Sequence, residues 1–207
     1  MENFLERLIN KGFKSDIFLH FIRKKDKNLK KIEVITTYGK LLYKKVIIMI
    51  IEYDKKYDEQ IKDLLVELQE HIQNIDLEGY NILTDEFRES YFSKTMDEIK
   101  KCNGKILLYK EENDIVGLVI GLINNDAEET YEFKAPKRGR ITELIVSKNI
   151  RSNGIGTKLL NAMENYLRTI GCKDILLGVF AYNENAIKFY EKNGYHVRMT
   201  DMTKTNL

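Results

Sequence analysis

Apolar positions recur at helical spacing in several stretches and alternate in others. Ile61, Leu64, Leu65, Leu68, Ile72 and Ile75 follow steps of three, four and seven and predict one amphipathic helix. A second is expected to run through Phe87, Tyr91 and Ile99 to about Lys101, with Thr84 as N-cap and Asp85 and Glu86 in its first turn. Phe4, Leu5, Leu8 and Ile9 share a helical face over residues 2–12 that stops at Gly12. Further helices are predicted over 154–170 and 184–193. Strands are read at 31–38, 49–53, 105–111, 114–123, 141–147 and 174–181, with "ENDI" as a tight hairpin turn and a polar loop over 124–140. Strand, helix, strand, helix after residue 141 implies a right-handed β-α-β unit with parallel strands. The meander before it is antiparallel. The expected fold is therefore α/β: one mixed sheet with helices on both faces.

Composition supports a folded chain. Its 207 residues are 43% hydrophobic and 32% charged, with one Pro. Residues 1–48 carry 12 Lys and Arg against 5 Asp and Glu, a net +7, whereas the remainder is −5. Because residues 49–54, "MIIEYD", read as a first strand, 1–48 are taken as a basic N-terminal extension of unknown role and 49–207 as the main domain. The basic run "RKKDKNLKK" has neither interleaved aromatics nor a basic helix face, which argues against a nucleic-acid arm.

Cys102 and Cys172 lie far apart, with no CxxC and no clustered His, so neither a disulfide scaffold nor a metal site is expected, and a reducing cytoplasm fits. The longest apolar run, "VIIMII", is far short of the roughly 20 residues that span a bilayer. Glu2 and Glu6 stand where a signal peptide would be basic.

The stretch "RSNGIG" at 151–156 carries candidate chemistry. Gly154 and Gly156 remove side chains where the first amides of a helix are free, and those amides with the helix dipole and Arg151 form an anion site. A tight strand-to-helix turn would use the same glycines. A dinucleotide fingerprint would need Gly at position 159, where Leu159 stands, and "GIGTKL" is not a Walker loop.

Downstream, "FAYNENAIKFYEKNGYHV" completes a pair of motifs. Arg151, Gly154 and Gly156 match Q/R-x-x-G-x-G/A, and Asn183, Ala186, Phe189, Tyr190, Gly194 and Tyr195 match N-x-x-A-x-x-F/L-Y-x-x-x-G-F/Y. With one helix and one strand between them, the region 49–207 resembles the GNAT superfamily of N-acetyltransferases. Lys148 replaces the proline common after the central strand, and Ser152 a common glycine; both lie in the loop before the helix, which leaves that loop's path open but not the amide cradle.

The resemblance implies acetyl-CoA as co-substrate and an amine acceptor, a small molecule or a peptide, attacking directly in a ternary complex. Main chain at Leu144, Ile145 and Val146 would pair with the pantetheine arm. The amides of Arg151, Ser152, Asn153, Gly154, Ile155, Gly156 and Thr157 would hold the pyrophosphate, and Asn183 would bond the arm near the thioester. Tyr190 would act as general acid towards the departing sulfur.

Glu143 is unusual by itself, a carboxylate inside "ITELIV". Alternation puts it on one face with Ile141 and Ile145, lining a cleft or a solvated sheet face, where it could take a proton from an ammonium. His71 and His196 have no partner at catalytic spacing, and Cys172 reads as a small apolar residue. Acceptor contacts are expected from the first two helices and from Glu128, Glu129 and Glu132. A homodimer stays open, and so does a second reading in which the cradle serves a non-catalytic acyl-CoA sensor.

Overall fold

The alternating runs pair into a five-stranded sheet, and the amphipathic stripes cover both its faces. The computed structural model describes residues 33–37, 40–44, 48–124, 136–151 and 153–204. The helix expected over 2–12, the cluster Glu128, Glu129 and Glu132, and Ser152 lie outside these residues.

β1 (Glu33–Thr37) and β2 (Lys40–Lys44) form an antiparallel hairpin, Glu33 opposite Lys44 and Thr37 opposite Lys40. β3 (Ile48–Glu52) instead opens the main sheet, followed in space by β4 (Lys105–Glu111), β5 (Asp114–Asn124), β6 (Arg138–Val146) and β7 (Asp174–Leu177). The first four are antiparallel neighbours, and β7 joins β6 in parallel. The helices are α1 (Asp58–Ile75), α2 (Phe87–Lys101), α3 (Ile155–Thr169) and α4 (Glu184–Lys192). Among the described residues no helix is long and apolar enough to cross a membrane.

Strand alternation divides the core in two. Ile106 and Leu108 of β4 and Leu118, Ile120 and Leu122 of β5 face α1, whose Ile61, Leu64 and Leu65 are buried against them, with Tyr91, Phe92, Met96 and Ile99 of α2 at the margin. Leu107, Tyr109 and Val119 face the other way, onto Leu159, Leu160, Met163 and Leu167 of α3. This helix lies very close to the sheet. A Cβ on Gly121 would sit 2.4 Å from the Met163 sulfur, so the glycine is what lets the two surfaces meet.

Three boundaries differ from expectation. Thr84 does not cap α2: Glu86 is the N-cap, already helical in backbone, and the Thr84 carbonyl accepts from the Phe87 N–H at 3.1 Å. β6 begins earlier, at Arg138, because the described part of the polar loop feeds directly into the sheet. β7 ends at Leu177 although its apolar run continues, since Val179 and Phe180 find no strand partner and are over a third exposed. That early ending shapes the site.

α1 and α2 are fastened by ions. The Lys62 ammonium, on a mostly buried stem, bonds Glu89 at 2.7 Å and Glu59 at 3.0 Å, and Arg88 reaches Asp63 at 2.8 Å and Glu59 at 2.9 Å. The acids are exposed, so water screens these pairs and they set geometry more than stability.

Candidate active site

β6 and β7 pair only from Arg138 opposite Asp174 to Ile141 opposite Leu177. Beyond that point β6 continues to Val146 while the chain after β7 turns away, leaving one edge of β6 open. The Ser147 N–H donates to the Val116 carbonyl of β5 at 3.0 Å, so strand alternation turns the main chain of Ile145 towards β5 and that of Leu144 and Val146 towards the open edge. The Leu144 main chain and the Val146 N–H thus face that edge, the Val146 carbonyl being taken by Arg151, whereas the main chain of Ile145 is used within the sheet.

The register slips beside this edge. Ile120 faces Glu143 and Gly121 faces Ile141, so Thr142 is an extra, bulged residue. A bulge exchanges the faces on either side of it. Ile141 therefore joins the α3 core while Ile145 joins the α1 core, and Glu143 does not share a face with Ile141 as simple alternation predicts. Glu143 goes with Ile145, towards α2.

There it is buried, with 9% of its surface exposed, which removes the solvated-face alternative. The phenol of Tyr91 in α2 donates to its Oε1 at 2.5 Å. Burial pushes the Glu143 carboxyl up to about 7, the Tyr91 bond pulls it down, and the charge of Glu98 adds to the rise. Tyr91 itself is raised by burial and then by Glu143.

The loop before α3 makes a single 3-10 turn at Lys148–Ile150. Glu67 of α1 holds it, accepting from the Lys148 N–H at 2.7 Å and from Arg151 at 3.2 Å, while the Arg151 Nε bonds the Val146 carbonyl at 2.8 Å. Arg151 therefore braces the loop against β6 and α1, and its charge is partly neutralised. Gly154 is the N-cap of α3 at φ 71°, a left-handed conformation with open space around it, and no side chain caps the helix. The first intrahelical acceptor is the Gly154 carbonyl, bonded by the Lys158 N–H at 3.1 Å, so the amides of Ile155, Gly156 and Thr157 point out of the helix end. Asn153 reaches back to the Ile150 carbonyl at 3.3 Å.

The second motif is the outline of α4. The Asn183 Oδ1 accepts from the Ala186 N–H at 3.1 Å as N-cap, leaving its amide nitrogen for other partners. At the other end Gly194, at φ 90°, donates to the Glu191 carbonyl and Tyr195 donates to the Tyr190 carbonyl, a Schellman closure. The Tyr195 ring meets Tyr190 edge-on at 5.7 Å, and Phe189 meets it at 5.2 Å. Tyr190 is thus packed by the C-terminal end of its own helix. Burial first and the Glu143 charge second push its phenol up to about 12. Glu143 on one face and Tyr190 on the other feel each other past the open edge of β6.

Sequence reasoning missed Tyr91 as the hydrogen-bond partner of Glu143 and Glu67 as the loop's anchor. Tyr91 sits on the apolar stripe of α2 and reads as core; the signal available was a hydroxyl on a stripe facing a strand with an internal carboxylate. His71 and His196 do not join the site's hydrogen bonds. Cys172 is buried in the α3 core, where burial raises its thiol.

A model of the acetyltransferase (GNAT) family matches residues 77–195, more than half of the chain. N-alpha-acetyltransferase 60 of Xenopus tropicalis is 29% identical over 101 residues, 47% of this chain and 37% of that protein. The chain thus spans well under half of that relative's length. A probable spermine N(1)-acetyltransferase of Bacillus subtilis subsp. natto is 30% identical over 115 residues, 51% of this chain and 71% of the relative. Among solved structures, a mutant of the BH1408 protein from Bacillus halodurans superposes with a TM-score of 0.68 at 19% identity, covering 77% of this chain and 99% of that one, a likeness of fold.

Proposed function

Because the chain belongs to the acetyltransferase (GNAT) family, we propose that it transfers the acetyl group of acetyl-CoA to a primary amine, which attacks directly in a ternary complex. The observation that carries this reading is the parting of β6 from β7 beyond Ile141 and Leu177, with Glu143 and Tyr190 on either side and the bare end of α3 below.

The residues fit the co-substrate. Main chain at Leu144 and Val146 would pair with the amides of the pantetheine arm, and the Asn183 amide would bond it further along. The N–H groups of Ile155, Gly156 and Thr157, with Arg151, Asn153 and Gly154 in the preceding loop, would hold the pyrophosphate. A Cβ added at Gly156 would lie 3.4 Å from Phe189, in ordinary van der Waals contact. Bound there, acetyl-CoA supplies an activated acyl group.

The protein's part is then proton transfer. An ammonium of pKa about 10 must lose a proton before attack, and a carboxylate near 7 is a base suited to neutral pH. Tyr190, at about 12, is a weaker acid than a thiol of about 8.5, so it donates a hydrogen bond to the departing sulfur more readily than a whole proton. The two groups are coupled. Once Glu143 has taken the acceptor's proton, the negative charge that raised Tyr190 is gone and the phenol becomes more acidic.

The acceptor side is α1, α2 and their connection. Asp76 shapes that connection by accepting from Asn81 at 2.7 Å, and it presents Leu77, Tyr80 and Ile82 to solvent. We place the acceptor, a small-molecule or peptide amine, against it. The test is free-thiol release from acetyl-CoA with a panel of polyamines, aminoglycosides and peptides. Intersecting initial-rate lines are expected; parallel lines would refute the ternary complex. Calorimetric binding of acetyl-CoA with no thiol release for any amine would favour the sensor.

A further inference from the structure

On the face of α2 turned to the sheet, Tyr91 brings its phenol to the Glu143 carboxylate. Among the described residues it is the sole hydrogen-bond donor to Glu143, 52 positions away in sequence. Its ring is itself held, stacked on Phe87 with centroids 4.7 Å apart and planes 16° from parallel. Engaging Oε1 restrains the carboxylate and leaves Oε2 without a hydrogen-bond donor among the described residues. A phenylalanine would fill the same stack, and a hydroxyl is costly to bury without a partner. The hydroxyl is therefore the informative part.

We propose that Tyr91 is a positioning residue of the transfer reaction: its phenol fixes the Glu143 carboxylate at the open edge of β6, with Oε2 turned to receive the acceptor's proton. This rests on the reading of Glu143 as the proton acceptor. The ionisable groups around Glu143 are Tyr91 and Glu98 of α2 and Tyr190 of α4. Of these only Tyr91 stabilises the charged carboxylate; Glu98 opposes it, and Tyr190 responds to it. Removing the Tyr91 hydroxyl would thus both loosen Glu143 and make it harder to ionise, whereas a bond that only ties α2 to the sheet would affect melting alone.

The experiment compares wild type, Tyr91→Phe and Glu143→Gln over pH 5–9, reading kcat/KM, the KM for acetyl-CoA and Tm. Tyr91→Phe is expected to move the acidic limb of kcat/KM up by about one pH unit, the size of a hydrogen bond to a charged group. Its kcat at pH 7 should fall about fivefold as the ionised fraction of Glu143 drops, with the acetyl-CoA KM unchanged. Replacing the Tyr91 phenol with a fluorinated one, a stronger donor of nearly the same shape, should move the limb down, and this arm serves if Tyr91→Phe folds poorly. An unmoved limb in both Tyr91 variants, with the limb lost in Glu143→Gln, overturns the role of Tyr91 alone. A limb that survives in Glu143→Gln overturns the base assignment and this proposal with it.

Discussion

Replacing Glu143 with Gln should stabilise the protein, and increasingly so as pH rises. In the folded state burial lifts this carboxyl from 4.5 to about 7, so the native protein holds its proton more tightly than the unfolded chain does. Below pH 4.5 both states are protonated and the group contributes no penalty. Between 4.5 and 7 only the unfolded state ionises freely, and stability falls as pH rises; above 7 the loss is complete. At 1.36 kcal/mol per pKa unit the full loss is about 3 kcal/mol. Gln keeps an oxygen for the Tyr91 hydroxyl and cannot ionise. Urea denaturation should therefore show a stability gap between variant and wild type that widens by about 2 kcal/mol from pH 5 to pH 8. The widening is the quantity to read, because burying the amide NH2 adds a cost that does not vary with pH. Parallel pH–stability curves would refute a buried carboxylate that lacks a cationic partner, whatever the enzymology shows.

Tyr190→Phe should lower kcat by about a hundredfold, the lower range for a group assisting proton transfer, while calorimetric affinity for acetyl-CoA stays within about twofold; equal losses in both would make Tyr190 a packing residue. Gly154→Ala imposes a Cβ at φ 71° with no steric neighbour, so denaturant titration should show a cost of about 1–2 kcal/mol from backbone strain alone. Gly121→Ala should cost about 1–3 kcal/mol by pressing on Met163, and Met163→Ala about 3 kcal/mol by leaving a cavity. The double variant should cost less than the sum, because the new methyl enters the space that Met163 vacates; strict additivity would contradict the contact.

Periodicity revealed the four α-helices among the described residues because each has one wet and one dry side. It could not reveal the bulge at Thr142. A bulge is a property of pairing between two strands, and "ITELIV" read alone has nothing to show that one residue has slipped. Consequently Glu143 was expected beside Ile141, although the residue itself stood out as a carboxylate among apolar neighbours. The end of β7 was equally hidden: Val179 and Phe180 are as apolar as the strand before them, and only the absence of a partner on β6 ends it. Tyr91 was invisible for the opposite reason. Its ring satisfies the helical stripe perfectly well, so the pattern accounts for the residue without using its hydroxyl.

A sheet that stops pairing halfway along β6 has kept part of its cohesion in reserve. Among the described residues β6 lacks a strand partner at Leu144 and Val146, where Arg151 covers only the Val146 carbonyl, and a ligand bonding along that edge would act as a sixth strand, folded into the sheet by each binding event. Resistance to heat and denaturant would then depend on concentration, gaining about 2.7 kcal/mol when free ligand stands a hundredfold above its Kd. In a cell, the lifetime of the protein would follow the supply of its own acyl donor.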